Sequence, residues 1–157
     1  MYIINTGQRW VDEVNQETAV NNGWIQKRRI WNRSPVGYGG YCFNMRIEPF
    51  NSKNVRKAIT HLFNREKLFS KYFFFQYVYM DSYYPGQEWA RPDAEPVRYN
   101  PKEARRLLEL DGWNRVETGR LVRSKDDQPF PKITLEVSDN NASSLRIHNL
   151  LKKELWQ

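Results

Sequence analysis

The chain has 157 residues, with 25 Lys and Arg against 18 Asp and Glu for a formal charge of +7, one cysteine and two histidines. That length suits a single domain burying about two thirds of its unfolded surface, enough for a core without covalent staples. The lone Cys42 excludes an internal disulfide and any cysteine-cluster zinc site, and leaves the redox compartment open.

The opening MYIINTGQRW has neither a charged region followed by an apolar one nor a cleavage site. No window approaches the roughly 18 apolar residues of a membrane span. The sequence as given is therefore expected to be soluble and to carry no export address. Its cations are interspersed with acids except at Lys27, Arg28, Arg29 and Arg33, so a solvated surface is the default reading. Nucleic acid or anionic lipid is the partner class that a basic excess could otherwise attract.

In chain order, Trp10, Val11 and Val14 predict a helix over residues 8–21, stopped at Asn22-Gly23. Residues 24–32 are rich in strand formers and predict a short strand, broken by Ser34-Pro35 and the glycines 37, 39 and 40. In 41–46 the period is two, with Tyr41, Phe43 and Met45 on one face and Cys42, Asn44 and Arg46 on the other, which predicts another strand.

Residues 49–84 organise the rest. Asn51 or Ser52 can cap a helix whose apolar Val55, Ala58, Ile59, Leu62 and Phe63 recur at i, i+3, i+4, i+7 and i+8. Lys53, Arg56, Lys57, Thr60, His61 and Asn64 fall off that stripe and are expected on a solvated face. Asn64-Arg65-Glu66-Lys67 starts a second helix carrying Leu68, Phe69 and Tyr72. The chain then runs through Phe73, Phe74, Phe75, Tyr77, Tyr79, Tyr83 and Tyr84 to a Pro85-Gly86 turn. So many rings either pack as core and a satellite cluster or wall a ligand cleft.

A loop with Pro85, Pro92 and Pro96 leads to a marked helix start, with Asn100 as cap, Pro101 in the first turn and Glu103 placed to reach back as in a capping box. Ala104, Leu107 and Leu108 are its stripe, Gly112 its stop, and Trp113 folds back. Residues 115–123 read as a hairpin around Glu117-Thr118-Gly119-Arg120, and 125–128 as a polar turn. Ile133, Leu135 and Val137 alternate with Thr134, Glu136 and Ser138 and predict a half-buried strand. Ser143 or Ser144 begins a last helix with Ile147, Leu150, Leu151 and Leu155, and an ending at that helix, with Trp156 exposed, suggests truncation.

An enzyme needs a constellation of groups. With His61, His148 and Cys42 alone, and no HxxxH, GxSxG or phosphate loop, neither metal nor nucleophile chemistry has its parts, so no catalysis is expected.

The blocks Phe43-Asn44-Met45-Arg46, Pro49-Phe50-Asn51, Val55-Arg56-Lys57-Ala58-Ile59, Asn64-Arg65-Glu66, Tyr99-Asn100-Pro101-Lys102-Glu103-Ala104, Leu107-Leu108 and Gly112-Trp113 together resemble family 5 of the bacterial extracellular solute-binding proteins. These are the oligopeptide, dipeptide and nickel receptors of ABC importers. The likeness covers about residues 37–157. Gly23 to Arg28 and Met80 to Gly86 look like the oligopeptide or microcin-type branch.

The resemblance implies an α+β fold, part of one lobe of a type II periplasmic-binding-protein-like architecture. Residues 1–40 would be an inter-lobe connector or first-lobe remnant and 41–157 a partial second lobe. It implies a peptide or other small solute as ligand, a membrane permease as partner of the full-length parent, and a periplasmic or extracellular location for that parent. No cofactor is implied. The aspartate that meets a peptide's amino terminus in relatives lies outside the matched part, and where some relatives place a lysine for the carboxylate this chain has Phe73, Phe74, Phe75 and Gln76. The cleft wall corresponds to residues 75–84. Its candidate ligand contacts are Gln76, Tyr77, Met80, Ser82, Tyr83 and Tyr84, with Asn44 added from the polar face of 41–46. Rings supply contact area at little rotamer cost and suit a receptor of varied peptides. Half a cleft is expected to bind weakly and to self-associate, for instance by exchange of the last helix. The rival reading is a nucleic-acid module in which Trp31, among Lys27, Arg28, Arg29 and Arg33, stacks on a base; it is not the expected one.

Overall fold

The computed structural model describes residues 9–28, 40–74, 79–80, 82–85, 87–93, 95–137 and 142–155, and of the side chains within its helices all but those of 9, 142 and 143. The chain divides into two compact units, one of residues 1–39 and 65–96 and the other of 40–64 and 97–157.

In the first unit the helix expected over 8–21 is broken into three short turns. A π-helical turn Arg9–Glu13 passes into a 3-10 turn Val14–Gln16, and a single α-turn, α1, spans Thr18–Asn21. Glu17 between them is extended, with φ −68° and ψ 127°. Trp10, Val11 and Val14 give too narrow an apolar stripe to carry a continuous helix, because most helical stability comes from a packed face. Gly23 ends the segment in the left-handed region at φ 74°, as the Asn-Gly signal indicates. Residues 24–28 form no strand, and the remainder of the expected strand, 29–32, lies outside the described residues. Helix α3, Arg65–Tyr72, starts where predicted and buries Leu68.

The second unit is built on α2, Lys53–Leu62, and α4, Pro101–Leu110. Ser52 caps α2, its hydroxyl accepting from the N–H groups of Asn54 at 3.1 Å and Val55 at 3.4 Å. Val55 and Ala58 are fully buried, and Ala58 packs with Ala104 and Leu107 of α4, flanked by Leu62 and Leu108. Two alanines at this crossing let the backbones approach closely. The face expected to be solvated is only partly so. Arg56 donates to the Phe50 and Asn51 carbonyls at 2.6 and 2.9 Å, Thr60 to the Arg56 carbonyl, and His61 Nδ1 to the Arg98 carbonyl at 2.9 Å. Carbonyls of the entering chain at Phe50 and Asn51 and of the returning chain at Arg98 draw Arg56 and His61 in, the Arg56 guanidinium making the stronger, charge-assisted class of hydrogen bond, while Thr60 bonds back onto its own helix.

Asn100 caps α4 through the Glu103 N–H at 3.1 Å. Glu103 turns away from the expected capping box: both carboxylate oxygens accept from Arg106, at 2.8 and 2.7 Å, the charge-assisted fork being the better partner. Gly112 at φ 80° terminates the helix, and its N–H donates to the Glu109 carbonyl at 2.9 Å. Strand β1, Trp113–Arg115, then pairs antiparallel with β2, Leu121–Arg123, in the register Trp113 to Arg123, Asn114 to Val122 and Arg115 to Leu121. This is the predicted hairpin. Trp113 is buried edge-on to Phe130 at 4.8 Å, as its folding back required.

Two predicted strands are not formed. In 41–46 the burial alternates as expected through Tyr41, Cys42, Phe43 and Asn44, but no ladder among the described residues runs beside it, and the chain turns at Met45. The Asn44 side chain closes that turn by accepting from the Arg46 N–H at 3.1 Å, the local bond that Asn offers in competition with a sheet. In 131–137 every residue is exposed and none pairs with another described residue. Alternation marks a residue string that fits a sheet face, but a strand also needs a neighbouring edge, which no described residue supplies.

The last helix, α5, spans Ala142–Leu155 and begins slightly before Ser143. Leu150, Leu151 and Glu154 are buried; Tyr99 donates to Glu154 at 3.1 Å, and Tyr41 shares a 2.7 Å hydrogen bond with His148 Nδ1. Trp156 lies outside the described residues.

Candidate functional site

The aromatic run leaves α3 through Phe73 and Phe74, and Phe74 holds φ 48°, a left-handed conformation uncommon for an aromatic residue. Residues 75–78, 81 and 86 lie outside the described set. Gln76 and Tyr77, two of the sequence-predicted contacts, therefore have no structural account.

Beyond Phe74 the rings divide into two groups. Tyr79 packs edge-on against Phe69 of α3 at 5.1 Å and sits close enough to Arg65 to offset part of the lowering that burial imposes on that guanidinium. This is the backing layer. Tyr83 and Tyr84 lie outside it, 66% and 53% exposed, with their rings T-shaped at 5.2 Å. The turn that carries them is stitched by the Gln87 N–H to the Tyr84 carbonyl at 3.2 Å and the Ala90 N–H to the Gln87 carbonyl at 3.0 Å. Met80 and Ser82 are half-buried between the two groups, and the enclosed Ser82 hydroxyl oxygen has no hydrogen-bond partner among the described residues.

Of the candidate contacts, the structure thus brings Tyr83 and Tyr84 together and places Met80 and Ser82 on the same segment. Asn44 belongs to the other unit, is exposed, and uses its side-chain oxygen in its own turn. Trp89, exposed and within the same run of turns as the tyrosine pair, was missed in the sequence because it stands in a proline-bearing loop with no periodicity. An isolated tryptophan in a polar loop was the signal available.

Chemically, the exposed rings offer apolar faces and phenolic donors, a surface for stacking and a few hydrogen bonds. They do not offer a metal site: no group of three or more His, Cys, Asp or Glu is gathered among the described residues. His61 and His148 are both half-buried and hydrogen-bonded. The basic group that suggested nucleic acid is partly spent on its own chain. Lys27 Nζ lies over the Trp10 ring at 4.8 Å and donates to Asn15 at 3.0 Å, and Arg28 donates to Gln26; Arg29, Trp31 and Arg33 are outside the described residues. An open groove of about 410 Å³ between α4 and the hairpin is lined by Arg105, Glu109, Asn114, Arg115, Val116 and Glu117, none of them a predicted contact. No helix among the described residues is long and apolar enough to cross a membrane.

Comparison with known proteins gives a consistent set of likenesses. The family described as bacterial extracellular solute-binding proteins, family 5 Middle, matches residues 5–157. A nickel-binding periplasmic protein of Escherichia coli (strain K12) is 26% identical over 117 residues, 74% of this chain and 22% of the relative. The crystal structure of an oligopeptide binding protein from Thermus thermophilus, complexed with pentapeptide, superposes with a TM-score of 0.55 at 23% identity, over 68% of this chain and 18% of that one. The fold is thus the mixed helix and strand architecture of a part of such a protein, and the chain spans about a fifth of the length of these relatives.

Proposed function

Since the chain belongs to the bacterial extracellular solute-binding proteins, family 5, we propose that it forms one wall of the peptide-binding cleft of an ABC-importer receptor. The single observation that carries this reading is the exposed Tyr83 and Tyr84 pair, held outward by turns and backed by the Phe69 and Tyr79 layer. Large rings left in water at a fixed position are the surface that a varied peptide needs, because they give contact area while losing few rotamers on binding.

Peptide rather than metal ion is the ligand class that these groups serve, since the exposed side chains of the segment are rings. Met80, Ser82 and Trp89 extend the wall, and Gln76, Tyr77 and Asn44 are further candidate ligand contacts on sequence grounds alone. Residues 1–40 act as connector or first-lobe remnant and 41–157 as part of the second lobe. The parent works outside the cytoplasmic membrane with a permease, carries no catalytic chemistry, and places an opposing wall over the ligand. A single wall buries much less of a ligand than a closed pocket, so the 157-residue chain binds peptide weakly by itself.

The test is a nuclear magnetic resonance titration of the chain with a pentapeptide. Shifts should concentrate in the ring signals of Tyr83, Tyr84 and Trp89, with an affinity on the order of millimolar. Shifts that spare these rings and fall elsewhere overturn the proposal.

A further inference from the structure

The chain leaves the second unit after Asn64 and re-enters it at Val97, and the tyrosine pair lies on the excursion between them, Arg65–Pro96. The point of return is fastened residue by residue. The Arg98 carbonyl accepts from His61 Nδ1 at 2.9 Å, the Tyr99 hydroxyl donates to Glu154 of α5 at 3.1 Å, and the Asn100 N–H donates to the His61 carbonyl at 2.9 Å. His61, in the last turn of α2, thus takes part twice, once with its ring and once with a carbonyl that the helix end leaves without an intrahelical partner.

We propose that His61 is the positioning residue of this excursion, its ring held as the Nδ1–H tautomer to fasten the returning chain to the helix from which the chain departs. A carbonyl oxygen only accepts, so the proton between His61 and Arg98 belongs to Nδ1. In the neutral ring Nε2 is then the bare nitrogen.

A segment whose two ends are kept at one separation has fewer conformations to lose when it orders. The fastening at His61 therefore favours the ordered turns that hold Tyr83 and Tyr84. The ring bond is also the one that a substitution at this position removes by itself, because Asn100 bonds to the backbone of residue 61 and Tyr99 bonds to α5. The proposal rests on the peptide-wall reading only for the purpose that this ordering serves.

Two measurements on the full chain, without peptide, test it. In magnetic resonance of the imidazole nitrogens in alkaline buffer, the His61 proton should be found on Nδ1. A proton on Nε2 overturns the proposal, whether or not any variant folds. Amide hydrogen exchange then compares His61→Leu with His61→Asn. Leucine deletes the donor, while asparagine carries an amide nitrogen as many bonds from Cβ as Nδ1 is. His61→Leu should quicken exchange of the Asn100 amide by about threefold to tenfold. The Gln87 amide, which donates to the Tyr84 carbonyl at 3.2 Å in the turn of the tyrosine pair, should quicken with it. His61→Asn should return both amides toward the wild-type rate. The Ser124 amide, bonded to the Gly112 carbonyl at 2.8 Å, should be unchanged in both variants. A Gln87 amide indifferent to His61→Leu, an asparagine that restores nothing, or a quickening that Ser124 shares would each overturn the proposal. Since peptide is absent from every arm, failure of the peptide wall and failure of this fastening are read separately.

Discussion

The Asn100 backbone N–H donates to the His61 carbonyl at 2.9 Å, tying the cap of α4 to the last turn of α2. One residue thus serves two helices: its side chain closes the start of α4 while its backbone satisfies a carbonyl that α2 leaves free at its end.

Replacing Asn100 by Ala removes the cap and keeps the backbone bond. The expected loss is about 1 kcal/mol, read from the shift in urea midpoint at unchanged slope. A change below a few tenths would show that water replaces the cap at no cost.

The alanine contact between α2 and α4 is a stronger test of packing. Ala58 and Ala104 are 0% and 1% exposed in one cluster with Leu107. Ala104→Leu should overpack the crossing and cost about 1–3 kcal/mol, whereas Leu107→Ala should leave a cavity and cost about 2–5 kcal/mol. Thermal unfolding of both variants checks the order.

Tyr41 and His148 are joined across the second unit by a 2.7 Å hydrogen bond, and burial pushes the Tyr41 hydroxyl above its ordinary value. Tyr41→Phe keeps the ring contact with Phe63 at 6.0 Å and deletes only the hydroxyl. A loss of about 0.5–1.5 kcal/mol is expected in chemical denaturation, and less if water reaches the His148 nitrogen.

Arg123 gathers acids from two parts of the second unit, Asp126 at 2.7 Å and Glu48 at 3.0 Å, and lies over the Trp113 ring. Its hydrogen bond holds the Asp126 carboxyl below the ordinary value of 3.8. A carboxylate whose folded value is depressed adds stability that is complete above the unfolded value and is lost as pH falls through the folded one. The loss therefore begins near 3.8 and runs downward in pH. Arg123→Gln should flatten the acid limb of the stability curve and leave its slope near neutrality unchanged, in a pH series of denaturant titrations.

Much of this architecture was legible in the residues. The Ser52 and Asn100 caps, the α2 and α4 stripes, the Gly112 stop and the hairpin all rest on local chemistry, and local chemistry is what a sequence displays directly. Helix 8–21 failed because Trp10, Val11 and Val14 name a face without naming what packs on it. The strands expected at 41–46 and 133–138 are not formed among the described residues for a related reason: period two specifies a face, while pairing depends on an edge that must come from elsewhere. The capping box failed by competition, Arg106 being a better partner for Glu103 than a backbone N–H. At the candidate site, the abundance of rings was plain in the sequence, but the division between the Phe69 and Tyr79 backing and the exposed Tyr83 and Tyr84 pair was not, since no alternation there marks which rings are covered.

The most direct test of the peptide wall is titration calorimetry of a pentapeptide at high concentration against the chain and against a Tyr83→Ala, Tyr84→Ala variant. Both side chains are exposed, so the variant should keep its melting temperature. Weak binding to the wild type and none measurable to the variant is the expected result. Equal binding by the two proteins would contradict a role for the tyrosine pair as the wall of a peptide cleft.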